Sequence, residues 1–133
     1  MGTIGYLLDT HVFLWAIEEH SSKLNDKVKN LLLTADEPIF VSSISAYEIT
    51  IKHRLGKLPG YDNVVYHYIQ IFDSFGAYEL PLTSHHNHFA GSLDWSHRDP
   101  FDRMLAAQAH LENLTLITND AAFRTAPWVS VLW

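Results

Sequence analysis

Five carboxylates in this chain sit in settings that suit chemistry: Asp9 in LLDTH, Glu48 in SAYEIT, Asp99 and Asp102 in HRDPFDR, and Asp120 in LITND. Three of them fall inside one stretch, residues 97–120, HRDPFDRMLAAQAHLENLTLITND. Asp99 and Asp102 are three residues apart and so share one side of a helix, where like charges are mildly costly unless a cation joins them. The chain has no cysteine. Oxygen donors without thiolates suit Mg2+ or Mn2+ better than zinc. Each acid also has an ordinary reading. Asp9, Asp99 and Asp120 could cap the helices that follow them, Asp102 could answer a helix dipole, and Glu48 could pair with Lys52 one turn on.

The elements that must position these acids can be read from the pattern. An apolar run at 4–8 reads as a buried strand, followed by a helix over 11–19. A second helix spans 21–34, with Leu24, Val28, Leu31 and Leu32 as its stripe, and Pro38 lies beyond it. A strand at 39–41 leads into a helix running to about Leu55, with Ile44, Tyr47 and Ile51 on one face and Gly56 as the stop. Residues 64–75 read as one helix with Val65, Tyr68, Ile69 and Phe72 inward. Strands follow at 78–82 (Pro81 marking a sheet edge or strand end), 114–118 and 129–132, with helices at 85–93 and 99–112 and a helical turn at 121–124. Strands alternating with helices imply a mostly parallel sheet covered on both faces. In such sheets ligands bind beyond the carboxyl ends of the strands, where Asp9 and Asp120 fall.

The 133 residues suit a single domain over 1–133, and a 47% hydrophobic content is enough for a real core. The start carries no signal-peptide pattern, and no apolar run approaches the ~20 residues that cross a bilayer, so a cytoplasmic protein is expected. A net charge of −6 argues against a general nucleic-acid binder. Divalent cations on an acidic cluster would reverse that locally by presenting positive charge to a phosphate.

Three blocks together resemble a PIN-domain ribonuclease, specifically a VapC-type toxin of a type II toxin–antitoxin system: YLLDTHVFLWAI at 6–17, VSSISAYEITIKHRLGKL at 41–58, and the 97–120 stretch. The resemblance implies a three-layer α/β/α fold around a five-stranded sheet. It implies an acidic quartet of Asp9, Glu48, Asp102 and Asp120 that is catalytic and holds Mg2+ or Mn2+, with Asp99 as a supporting ligand or only a cap. It implies an endoribonuclease that cuts RNA with metal-activated water, a cognate VapB-type antitoxin, and a homodimer. Thr10, His11, Lys52, Arg98, Arg103 and Thr118 are candidates to meet substrate, Arg54, Lys57 and Arg124 to guide the RNA backbone, and Thr118 and Asn119 to orient water. The competing reading is a catalytically inactive PIN-like module that binds RNA or protein.

Other chemistries lack their motifs. His85, His86, His88 and His97 show no zinc spacing, and the first three read as the polar surface of a short helix. There is no Walker loop, G-x-S-x-G elbow or G-x-G-x-x-G. A response-regulator receiver would need paired acids after the first strand and a lysine after the last core strand, and a D-x-D phosphatase fails because His11 stands at the second acid. Trp15, Trp95, Trp128 and Trp133, with Phe13, Tyr66, Tyr68 and Phe72, are expected in the core, some of them at interfaces.

Overall fold

A computed structural model describes residues 2–18 and 21–133. Five strands form its sheet: β1 (Tyr6–Leu8), β2 (Ile39–Ser42), β3 (Tyr78–Leu80), β4 (Thr115–Ile117) and β5 (Val131–Leu132). Their spatial order is β3-β2-β1-β4-β5, and every pairing is parallel. The chain therefore builds outward from β1 to one edge, then crosses to the other side of β1 for β4 and β5. That reversal creates a crevice at the carboxyl ends of β1 and β4. Leu8 is paired with both Val41 and Ile117, so β1 and β4 end level with one another and β2 runs one residue further.

Among the described residues, seven helices connect the strands: α1 (Thr10–Ile17), α2 (Asp26–Thr34), α3 (Ser43–Arg54), α4 (Asp62–Tyr66), α5 (Tyr68–Phe75), α6 (Ser84–Ser92) and α7 (Pro100–Leu111). Alternating strand residues feed two cores, as the two-residue period of a strand requires. Leu7 and Leu116 pack with Leu105, Ala106 and Ala109 of α7 and with Phe123. Leu8, Val41 and Ile117 pack on the other face with Val12 and Phe13 of α1, Val28 of α2 and Ile49 of α3. The result is the expected three-layer α/β/α sandwich, with apolar residues on both faces of the central strands.

The chemistry of several junctions explains the boundaries. Asn25 caps α2 by accepting from Val28 N, and Ser42 caps α3 by accepting from Ile44 N. Gly76 ends α5 at φ +86°, a conformation that costs glycine little. Gly5 lies where a Cβ would come within 2.8 Å of Pro38 O, so the backbones ahead of β1 and β2 can approach closely.

Several sequence expectations need correction. The helix expected over 64–75 is two helices, interrupted at His67, whose φ of −123° departs from helical geometry. Ile69, expected inward, is 67% exposed. On α3 the fully buried residues are Ser45, Glu48 and Ile49, while of the face shared by Ile44, Tyr47 and Ile51 the two isoleucines are half-buried and Tyr47 is exposed. The helix of residues 85–93 is not polar surface throughout: His86 is buried, and its Nε2 lies 2.8 Å from Glu112 Oε1. The second helix also starts later than expected, at Asp26 after its Asn25 cap, rather than at Ser21. The last residue expected in the first helix, Glu19, lies outside the described residues.

Candidate active site

The carboxyl ends of β1, β2 and β4 and the start of α7 deliver the five acids to one end of the sheet. Asp9 follows β1 and occupies the position that caps α1, yet its side chain makes no cap hydrogen bond. Its Oδ2 instead accepts a buried 2.7 Å bond from Thr118 Oγ1 at the end of β4. Thr118 Oγ1 also accepts from Asp120 N at 3.1 Å, so one hydroxyl ties the two strand-end acids together. Asp120 is exposed and caps the following 3-10 turn through Ala122 N. Asp99 caps α7 by accepting from Asp102 N, and Pro100 stands at the first helical position, where its missing N–H costs nothing.

Burial and mutual repulsion mark these groups as one electrostatic unit. Burial pushes the pKa of Asp9 up, the Thr118 bond and His11 pull it down, and Glu48 and Asp120 push it up again. Asp102 is pushed up to about 6, first by burial, against the pull of His97, with Asp99, Asp9 and Asp120 adding repulsion. Such shifts are expected where carboxylates share a poorly solvated space.

Two side chains answer that charge. Lys52 pairs with Glu48 one turn away on α3. Burial alone would lower the Lys52 pKa, but the contact with Glu48 and the charges of Asp99 and Asp102 raise it. His97 Nε2 lies 2.7 Å from Asp102 Oδ2. As the side chains lie, no three histidine, aspartate or glutamate groups among the described residues stand close enough to hold an ion together.

The donor set nevertheless fits a hard divalent cation. Every candidate ligand is a carboxylate oxygen. Glu48 is only 4% exposed, and its Oε1 has no hydrogen-bond partner among the described residues. A buried carboxylate oxygen left without a donor is costly, and a cation would satisfy it. Lys52 and His97 would have to release Glu48 and Asp102 for all the acids to share one ion.

The remaining sequence candidates separate. Thr10 is buried and bonded to Ser45 Oγ at 2.8 Å, which joins α1 to α3 and leaves it no open face for substrate. His11 is exposed beside Asp9. Arg98 is exposed and, with Asn87 and Pro100, lines a shallow surface cavity to which none of the five acids contributes. Arg103 is withdrawn from any substrate role: its Nε donates to Ala90 O, its Nη1 to Trp95 O and His97 O, and its Nη2 to Ala90 O and Leu93 O. All five guanidinium N–H groups are thereby used on the 90–97 segment. That clamp fixes the loop carrying His97, whose ring also packs 5.1 Å from that of Trp95. His97 is the residue that sequence reasoning missed as a partner of the site. It lies five positions before Asp102 across a helix start, a separation that no helical or strand period marks.

The chain has an open parallel α/β sheet of the class that binds ligands in the crevice at its topological switch point. Within that class the chain belongs to the PIN domain family, whose model matches residues 6–129. Comparison with curated proteins finds no significant match. Solved structures share the fold. A chain of VapBC2 from Rickettsia felis bound to a DNA fragment from their promoter matches with TM-score 0.67 and 21% identity over 96% of both chains. FitAcB from Neisseria gonorrhoeae gives 0.64 and 23% over 96% of both. A toxin–antitoxin complex from Klebsiella pneumoniae gives 0.66 and 16% over 97% of both. Among the described residues no helix is long and apolar enough to cross a membrane.

Proposed function

We propose that the chain is a metal-dependent endoribonuclease, the toxin of a VapBC-type toxin–antitoxin pair, that hydrolyses RNA phosphodiester bonds. The observation that carries this reading is Asp9. It stands at a helix start but leaves that helix uncapped, and turns instead toward Thr118 and the other acids. Membership of the PIN family and the fold shared with complexes described as VapBC, FitAcB and toxin–antitoxin support it.

Asp9, Glu48, Asp102 and Asp120 would hold Mg2+ or Mn2+, with Asp99 supporting from the start of α7. When bound, the cation supplies charge neutralisation for an anionic phosphodiester and a lowered pKa for water. The chain's own residues do the positioning. Thr118 fixes the Asp9 carboxylate and the Asp120 backbone in one register. Asp99 orders the first turn of α7 and so the placement of Asp102. In the reaction, water adds to phosphorus, the P–O3′ bond breaks, and O3′ leaves with a proton, giving a 5′-phosphate and a 3′-hydroxyl. The ribose 2′-OH takes no part. A VapB-type antitoxin and a second copy of the chain complete the proposed assembly in the cytoplasm.

The inactive-module reading draws on one observation, that Lys52 and His97 already occupy Glu48 and Asp102. One assay separates the two: cleavage of a pooled RNA by the purified chain in Mg2+, in EDTA, and as Asp9→Asn. The nuclease reading expects cleavage in Mg2+ only, reduced at least a hundredfold in the variant. Equal rates for wild type and variant in Mg2+ would leave the module.

A further inference from the structure

Two aromatic side chains stand at the rim of the acidic crevice and serve neither core. Tyr47 immediately precedes Glu48 on α3, and Phe101 immediately precedes Asp102 on α7. The two helix-borne acids thus each carry an aromatic neighbour. The rings meet between the helices, with centroids 6.0 Å apart and planes tilted by 43°. Tyr47 is 58% exposed, because α3 buries Ser45, Glu48 and Ile49 instead. Lys52 Nζ lies 6.0 Å from the centroid of the Phe101 ring while it holds Glu48. Aromatic face, ammonium and carboxylates therefore follow one another across a single edge of the site.

We propose that Tyr47 and Phe101 form a platform on which an unpaired base of the RNA stacks, with Lys52 reaching the phosphate beside it. The inference rests on the nuclease reading and adds which side chains of this chain receive a base of the substrate. A base in a duplex has both faces covered by its neighbours, whereas a splayed base offers one to an aromatic side chain. Stacking is tolerant of sequence, since every base has a π-face. Lys52 is placed to change partners. With Glu48 engaged by a divalent cation, the Lys52 ammonium would be released beside Phe101 and free to meet the incoming backbone. Two rings make a poor protein interface, because a stable one needs on the order of 1,000 Å². One ring face is enough for one base.

The test is a short single-stranded RNA carrying 2-aminopurine, whose fluorescence is quenched on stacking, bound by the full chain in Ca2+. Wild type should quench the probe. Tyr47→Leu should bind about tenfold more weakly and lose the quench, and Tyr47→Trp should recover both. Phe101→Leu should weaken binding in the same direction, and a duplex of the same sequence should bind wild type no better than it binds Tyr47→Leu. Cleavage is scored separately in Mg2+. If wild type cuts RNA while Tyr47→Leu binds and quenches as wild type does, the platform is overturned and the nuclease reading stands. If wild type cuts nothing but quenches the probe only with Tyr47 present, the platform stands and the nuclease reading fails. If Tyr47→Leu halves the mass in solution with RNA affinity unchanged, the rings serve a second copy of the chain and the platform is overturned.

Discussion

Asp102 is a carboxylate that the fold disfavours in its charged form. Burial and the neighbouring acids raise its pKa from 3.8 to about 6 despite the His97 contact. For an acid whose folded pKa is raised, the folded chain binds the proton more tightly than the unfolded one. The stability this contributes is present at low pH and lost as pH rises through about 4 to 6. At pH 7.5 the charged Asp102 therefore costs stability, on the order of 1 kcal/mol after allowance for its partial solvent contact. Asp102→Asn keeps the shape and an oxygen for His97. It should raise Tm by a few degrees at pH 7.5 and by nothing at pH 4, while removing cleavage. A lower Tm at pH 7.5 would show that Asp102 is held by attraction, chiefly to His97, and carries no strain of function. The residue scale was partly legible in the sequence. Asp99 and Asp120 do cap, as their positions before Pro100 and Ala121 suggested. Asp9 stands in an equally good capping position and does not cap. Only the hydroxyl of Thr118, 109 residues away, decides the difference.

At the scale of elements, the segment between α6 and α7 has no regular structure, yet it carries His97 to Asp102. Arg103 replaces the missing ladder of backbone bonds by donating to three carbonyls of that segment, at Leu93, Trp95 and His97, and to Ala90 O near the end of α6. Hydrogen bonds from a charged donor contribute about 1.5–3 kcal/mol each at most, and they do not add simply. Arg103→Met should cost roughly 3 kcal/mol in urea unfolding and speed amide exchange across the segment more than in α7. Arg103→Lys should rescue little, because an ammonium cannot span carbonyls held in a planar fork. An Arg103→Lys variant as stable as wild type would mean that charge alone holds the loop. This role left no mark in the sequence, since an arginine beside an acidic helix start reads equally well as a phosphate contact. The helical faces were misread for a related reason. Apolar spacing on α3 pointed to Tyr47 and Ile51, but the crevice draws in Ser45 and Glu48, where polar atoms have Thr10 and Lys52 to meet.

Across the whole molecule, topology and charge act together. Alternating strands and helices made the parallel three-layer fold legible, because buried strands must be apolar on both faces and parallel strands need crossovers. The strand order was not legible, since no local signal says that the chain crosses β1 after β3. That crossing is what sets Asp9 between the ends of β2 and β4. It also concentrates the charge. The chain has 15 acidic and 9 basic residues, and five of the acids gather at this one end of the sheet, so the other ten nearly match the lysines and arginines. RNA should then be repelled by one crevice and not by the surface at large. In EDTA, wild type should bind a single-stranded RNA weakly. The double variant Asp9→Asn, Asp120→Asn should bind it roughly fivefold more tightly, from about 0.5 kcal/mol per charge removed at several ångströms in water. Raising the salt should shrink that gap, chiefly through the exposed Asp120, since interactions across solvent are screened over about 10 Å at 0.1 M. In Mg2+ the order should reverse, because only wild type keeps the proposed ligands through which a cation would turn the crevice positive. Fluorescence anisotropy on one labelled RNA reads all three conditions. Equal affinities in EDTA would mean that the acids at the strand ends do not govern access, and that RNA approaches by another face of the molecule.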